Sequence, residues 1–529
     1  MVDSVGPLTL NDLWAWLSSA RGDRPFLTFI EQKGAVRRAT YRAFDDEINQ
    51  MANLLSAHGV RPGENVILQL PSSVDFLRSM FALAKIGAVA VPINRDYQPQ
   101  EVEHIRKVCA ADAAIVVADK AEASATQTGL KTLFVAGDWP GERAARPDGA
   151  ARTIGLGLCP GQPTIFTPDV KITSDTPAMM LFTSGTTAAP KGVVITHANC
   201  LHSGLYHNWQ MAMTDRDRLL TTMPMEHSNF QLAGLMPVLT VAAELVVVQQ
   251  YSASRFWRQV REQRATLIQA VATIVKTLLL QPVDPDETRH AVRDVQYYLT
   301  LDDDAKEQFE RRFNTQLLNC YGLTETINWV ITDFAHGPRR WPSIGRVGLG
   351  YQARVVDSFG HEAPAGEVGE IQIKGDKGRS MMLEYYRDPE ATARAYTPDG
   401  WFRTGDRGYV DDDGWFFFTG RSSDIIKRAG RNISALEVEE QLLAHPGVAE
   451  AAVVGAPDEI RDEAVMAFVV PRLGETLDPA EVLGFVAGRI AAYKVPSEVI
   501  VSTDLPRTST GKIAKRLLVP PAPESQSPR

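Results

Sequence analysis

Between Leu181 and His197 the chain reads LFTSGTTAAPKGVVITH, which sets five hydroxyl residues, two glycines and one lysine between apolar flanks. Hydroxyls and backbone amides donate to anionic oxygens, and a glycine among them lets the backbone close in on a ligand. Thr183, Ser184, Gly185, Thr186 and Thr187 therefore describe a nest for phosphate oxygens, and Lys191 adds a point charge. A P-loop of the G-x-x-x-x-G-K-[ST] type fails on spacing, because Gly192 and Val193 follow Lys191 and the second glycine falls on the wrong side of the lysine. A Ser/Thr-rich surface turn would account for the hydroxyls but not for glycine and lysine in this order.

The elements that must position such a loop belong to a large protein. At 529 residues the chain exceeds one compact core, so two or three domains are expected. A formal charge of -9 argues against a partner bound by neutralising nucleic-acid phosphates and leaves small molecules or proteins. The start, MVDSVGPLTLNDLWAW, has neither a basic nor an apolar signal region, so a cytoplasmic protein is expected. Leu232 to Val248 is the most apolar window, but it contains Pro237 and Glu244 and falls short of the roughly 20 residues a spanning helix needs. Cys109, Cys159, Cys200 and Cys320 are scattered and imply no disulfide framework or structural metal.

Periodicity points to an α/β fold. ENVILQL (Glu64 to Leu70) reads as a buried strand; Ser73 then caps a helix with Phe76, Leu77, Met80, Phe81 and Ala84 on one face, ended by Gly87. With AVAVPI and AAIVVAD this gives alternating βα units around a mainly parallel sheet. Residues 137–175 read as a surface excursion, and about 350–420 as a small β-subdomain with turns at DSFG, TPDG and DDDG. A capping box at Ser434 to Glu437 opens a small α+β domain at 422–529, after an N-terminal domain spanning 1–421.

Five segments resemble, in family order, the signatures of adenylate-forming enzymes, the superfamily of acyl-CoA synthetases, peptide-synthetase adenylation domains and beetle luciferases. They are TSGTTAAPKGVVITH, YGLTE (Tyr321 to Glu325), TGD (Thr404 to Asp406), GRSSDIIKRAGRNISALEVE (Gly420 to Glu439) and TSTGKIAK (Thr508 to Lys515). The resemblance implies an α/β fold with a mobile C-terminal lid and a two-step reaction. A carboxylate attacks the α-phosphate of ATP to give acyl-AMP, and the thiol of CoA then displaces AMP. By that resemblance, Thr183, Ser184, Gly185, Thr186, Thr187 and Lys191 hold the β- and γ-phosphates. Tyr321 stacks on adenine, Asp406 and its support Arg421 take the ribose hydroxyls, and Thr324 contacts the α-phosphate. Glu325, with Thr186, binds Mg²⁺; Lys512 is the catalytic lysine; Ser423 sits at the hinge; Ala429 and Gly430 line the CoA tunnel.

One segment departs from the pattern. Where relatives carry a Gly-Gly-Ala-Pro-like loop beside adenine, this chain has Tyr297, Tyr298, Leu299 and Thr300, followed by Asp302, Asp303 and Asp304. The aromatics would crowd the adenine and the carboxylates would oppose phosphate, unless the latter open a helix, where negative charge is favourable. The chain also resembles the crotonobetaine/carnitine-CoA ligase branch at YSASRFWRQVREQRATL and RRWPSIGRVG, which makes the departure readable as a subgroup trait. His227 and Trp329 fall where the family places its acyl pocket.

An acyl-CoA ligase is the expected function, acting on a small-molecule carboxylic acid with ATP, Mg²⁺ and CoA. The Tyr297 to Asp304 departure suggests one alternative, thioester formation from acyl-AMP supplied by a partner adenylating enzyme; a second, of a different class, is nucleotide binding without chemistry, against which Lys512 and Gly430 count. No carrier-protein segment is expected after Lys512, no nucleic-acid or membrane-spanning role is expected, and a homodimer remains open.

Overall fold

The computed structural model describes residues 5–145, 149–183, 190–298, 301, 303–421, 424–428, 431–458, 462–490, 492–508 and 512–518. The chain forms two compact units, Met1–Ala353 with Ile373–Phe402, and Arg354–Gln372 with Arg403–Arg529.

The first unit holds two nine-stranded sheets. One runs in spatial order Arg346–Val347, Ile331–Thr332, Leu317–Tyr321, Asp294–Tyr298, Leu267–Val271, Arg218–Thr221, Glu244–Val248, Pro25–Ile30 and Val36–Thr40. Its six central strands are parallel and its edges antiparallel. The other centres on Val89–Pro92, Asn65–Gln69, Ala113–Val117, Thr132–Ala136 and Arg152–Gly155, all parallel. At one end Pro177–Thr183 continues the parallel set beside Val89–Pro92, and Lys191–Thr196 and then Glu384–Tyr385 follow, each antiparallel to its neighbour.

Local chemistry explains the elements. Ser73 Oγ accepts from Phe76 N (3.1 Å) to start the helix Val74–Ile86, and Gly87 ends it at φ 84°, a conformation glycine adopts without steric penalty. Part of the expected surface excursion instead joins the sheet. Ile154, fully buried in Arg152–Gly155, pulls that short strand against Thr132–Ala136, and the surrounding Gly and Pro masked it in the sequence. All four cysteines are free and buried. Among the described residues no helix is long and apolar enough to cross a membrane.

The second unit contains a four-stranded sheet ordered Gln352–Val356, Gly369–Lys374, Phe402–Val410 and Phe416–Arg421. A five-stranded sheet follows, in which Asp462–Pro471 pairs antiparallel with Val448–Asp458 and parallel with Glu498–Val501. The helices Ala435–Leu443 and Pro479–Ala487 cover a core that includes Ile433, Val438, Leu442, Val465 and Val482.

Candidate active site

Thr183 and Lys191 stand opposite each other where the strands Pro177–Thr183 and Lys191–Thr196 pair. Ser184, Gly185, Thr186 and Thr187 lie outside the described residues, so the structure places the two ends of the expected phosphate loop. On its other side, Lys191–Thr196 pairs with Glu384–Tyr385, with Val193 opposite Tyr385 and a bond from Tyr386 N to Gly192 O (2.8 Å). This register brings the Tyr385 ring beneath Lys191, whose Nζ lies 4.9 Å from the ring centroid. The Tyr385 hydroxyl donates to Glu325 Oε1 at 2.9 Å. Burial, reinforced by Glu325, pushes the phenol well above its ordinary range, so it stays protonated and remains a donor. One aromatic side chain thus engages an ammonium with its face and a carboxylate with its hydroxyl. Sequence reasoning missed Tyr385, because an aromatic in EYYRDPEAT reads as core until the strand pairing is known.

The strand Leu317–Tyr321 delivers Tyr321, half-buried, to a tight turn. Gly322 is required there, since a Cβ would lie 2.1 Å from Asn328 O. A short 3-10 turn, Thr324–Thr326, follows, with Leu323 N donating to Thr326 Oγ1 (2.9 Å). Next comes Ile327 at φ 65°, ψ -35°, a costly conformation for a β-branched residue. Its neighbours hold it in place: Asn328 Nδ2 donates to Tyr351 Oη (2.7 Å), and Tyr206 Oη donates to Trp329 O (2.7 Å). Thr324 Oγ1 bonds Ser228 Oγ at 3.3 Å, which joins this turn to the loop carrying His227. His227 Nδ1 accepts from Asn229 N (3.3 Å) and caps the short helix Ser228–Phe230.

The departing segment has a structural explanation. Tyr297 is fully buried within the strand Asp294–Tyr298, and Tyr298 stacks on Trp329 with centroids 4.8 Å apart and planes at 20°. Such a pair contributes roughly 0.5–1.5 kcal/mol beyond area burial. Asp303 and Asp304 occupy the first turn of the helix Asp303–Phe313, and Arg311 and Arg312 the last, so the charges complement the helix dipole. Leu299, Thr300 and Asp302 lie outside the described residues.

Asp406, Arg421 and Lys512 belong to the second unit. Asp406 is buried, with its backbone N donating to Thr404 Oγ1 (3.0 Å), and stands in register with Arg421, of which only the backbone is described. Lys512 is exposed, on a segment clipped by Thr508 N to Lys512 O (2.7 Å) and Lys512 N to Thr508 Oγ1 (3.2 Å). Three residues on, Lys515 Nζ anchors that segment to Glu439 Oε1 at 2.7 Å, and Glu439 also accepts from Val453 N at 2.6 Å. Burial raises the Glu439 carboxyl and Lys515 opposes that shift. Ser423, Ala429 and Gly430 lie outside the described residues.

A sequence profile described as AMP-binding enzyme matches residues 14–386, and one described as AMP-binding enzyme C-terminal domain matches 437–512. The chain belongs to the AMP-binding enzyme family. It is an ATP-dependent acid–thiol ligase that converts a carboxylic acid to its CoA thioester through acyl-AMP. It is 41% identical to a crotonobetaine/carnitine–CoA ligase of Salmonella typhimurium over 522 residues, which is 98% of this chain and 100% of that relative. ATP-bound MatB from Rhodopseudomonas palustris superposes with a TM-score of 0.84 at 27% identity, covering 96% of this chain and 98% of MatB. The anthranilate CoA ligase AuaEII in complex with anthranoyl-AMP gives a TM-score of 0.83 at 26% identity, covering 97% of each chain.

Proposed function

We propose that the ligase acts on a small carboxylic acid bearing a quaternary ammonium, and that the Lys191–Tyr385–Glu325 assembly serves its first half-reaction. For the acid, the carrying observation is the 41% identity, over nearly the whole chain, to the relative named for crotonobetaine and carnitine. The Tyr298–Trp329 stack is consistent with it, because aromatic faces attract ammonium groups without a hydrogen-bond donor.

In this reading Thr183 to Thr187 and Lys191 hold the β- and γ-phosphates, Thr324 the α-phosphate, Tyr321 the adenine, and Asp406 with Arg421 the ribose. His227 and Trp329 border the acid. The oxygen donors suit Mg²⁺, a hard cation: Glu325 offers a carboxylate and Thr186, by residue type, a hydroxyl. When bound, the cation would neutralise phosphate charge. Tyr385 orients Glu325 and gives Lys191 a platform, so both charged groups are positioned before ATP arrives. Lys512 serves adenylation, while Ala429 and Gly430 serve thiol entry, with Ser423 at the hinge between these states.

A panel of betaine, aromatic and dicarboxylic acids tests the reading, with AMP and CoA-thioester release measured separately and pyrophosphate exchange measured for each acid. Exchange and thioester formation are expected with the trimethylammonium acids. Turnover confined to benzoate-like or dicarboxylic acids would overturn the substrate assignment, and thioester formation without any exchange would overturn the role given to Lys191 and Glu325.

A further inference from the structure

Fully buried strands of a parallel sheet are normally continuous apolar runs. Two central strands here break that rule at adjacent positions, LIQAV with Gln269 and DVQYY with Gln296, which stand directly opposite each other. With Gln210 on the helix His197–Met211 they form a file of amides, each at most 1% exposed. Gln269 Nε2 donates to Asn229 O (3.1 Å) and to Gln296 Oε1 (2.7 Å). Gln296 Nε2 donates to Gln210 Oε1 (3.5 Å), and Gln210 Nε2 to Thr332 Oγ1 (2.5 Å). The single proton of Thr332 Oγ1 is in turn shared between Asn319 O (3.2 Å) and Asp333 O (3.0 Å), both acceptors.

Chemistry fixes the direction of this file. A backbone carbonyl can only accept, so Asn229 O orients the Gln269 amide at one end, and Asn319 O with Asp333 O orients the Thr332 hydroxyl at the other. The donations therefore diverge at Gln269: one goes to Asn229 O, and the others run in a single direction through Gln296 and Gln210 to Thr332, a run in which each bond polarises the next. Gly234, in the π-helical turn Gln231–Leu235, leaves room for the first link: a Cβ there would lie 3.0 Å from Gln269 Oε1 and 3.5 Å from Asn229 O. The two ends lead to different parts of the site. Asn229 is two residues from His227 and next to Ser228, which bonds Thr324; Asn319 is two residues before Tyr321 on the same strand.

We propose that Gln269 is a positioning residue for the acid substrate. It acts through Asn229 on the loop of His227 and Ser228, and the amide file couples that loop to the strand of Tyr321. This rests on the reading of His227 as a border of the acyl pocket.

Gln269→Met keeps the volume and removes both donors, stranding Asn229 O and Gln296 Oε1 in the core. The acid KM should rise about tenfold while the ATP KM stays within about twofold, the size expected from losing two neutral hydrogen bonds at fixed packing. Gln210→Met should move the acid KM in the same direction, and the double variant should be no worse than Gln269→Met alone, because the file acts as one unit. If Gln269→Met does not fold, Gly234→Ala, which presses on the same amide, should give the same acid-selective rise. His227→Ala separates the two claims. An acid KM moved by His227→Ala but not by Gln269→Met or Gly234→Ala overturns the file and keeps the pocket reading; one moved by neither substitution overturns both. Loss of thermal stability with both KM values unchanged assigns the glutamines to folding alone and overturns the proposal.

Discussion

The Tyr385 hydroxyl donates to Glu325 Oε1 at 2.9 Å while the Lys191 ammonium lies 4.9 Å from the centroid of the same ring. Two groups of opposite charge, far apart in sequence, are thereby held by one phenol, and the two contacts can be removed separately. Tyr385→Phe keeps the ring under Lys191 and deletes the bond to Glu325. A hydrogen bond to a carboxylate contributes roughly 1.5–3 kcal/mol, so pyrophosphate exchange should slow about tenfold to a hundredfold. Thioester formation from supplied acyl-AMP, which needs neither β- nor γ-phosphate, should stay within about twofold. Tyr385→Leu removes both contacts and should slow exchange further. Equal slowing of the two half-reactions in Tyr385→Phe would refute the separation.

Lys512 and Gly430 are assigned to different halves of the reaction. Lys512→Ala should slow adenylation by about two to three orders of magnitude, the scale seen when one group that stabilises transition-state charge is removed, and leave acyl-AMP turnover to the thioester largely intact. On the proposed reading that Gly430 serves thiol entry, Gly430→Leu should reverse the pattern, since an added side chain there would obstruct CoA without touching ATP. The half-reactions measured separately in both variants decide it: losses of the same size in both steps for both variants would contradict the division.

Trp329 is the outer half of the stack with Tyr298. Trp329→Leu should raise the acid KM and leave the ATP KM unchanged, whereas Trp329→Phe, which keeps a ring, should fall between. If the acid carries a trimethylammonium group, the loss should be larger for it than for the neutral tert-butyl analogue, because only the cation is drawn to a ring face by about 0.5–2 kcal/mol. Parallel losses for the two acids would remove the aromatic stack from substrate selection.

Much of the architecture was legible in the sequence because local rules and tertiary packing agree. The run Glu64 to Leu70, the Ser73 cap and the Gly87 stop each have one reading, and each occurs in the structure. Thr324 and Glu325 lie within one contiguous motif and share the turn Thr324–Thr326 in the structure. Tyr385 was not legible, because its role comes from pairing with Val193, a register no local pattern encodes. Nor were Gln269 and Gln296: a glutamine in an apolar run signals only interruption until the neighbouring strand supplies a second one opposite. Arg152–Gly155 was hidden by the opposite effect, a single buried Ile154 among turn-forming residues.

Two histidines give the first unit a pH dependence with a defined sign. Burial lowers His197 to about 4, where its Nδ1 accepts from Leu10 N (3.2 Å), and lowers His207 to about 3, where Nδ1 pairs with Ser203 O (2.8 Å). A histidine in the unfolded chain titrates near 6.5, so as pH falls below about 6.5 the unfolded state binds protons that the folded state refuses, and stability is lost. Over the span from pH 6.5 to 5 each ring accounts for about 2 kcal/mol. Asp333 works the other way. Burial raises it to about 6, so its folded form holds a proton that the unfolded form releases, and stability falls as pH rises from 3.8 to about 6. Comparing the unaltered protein with His207→Asn cancels the Asp333 contribution, which both share; the Asn amide can donate to Ser203 O as Nδ1–H does, yet does not titrate. The melting temperature of the unaltered protein should therefore drop more between pH 7 and pH 5 than that of His207→Asn. Identical drops measured in the same buffers would show that His207 is not held neutral by burial.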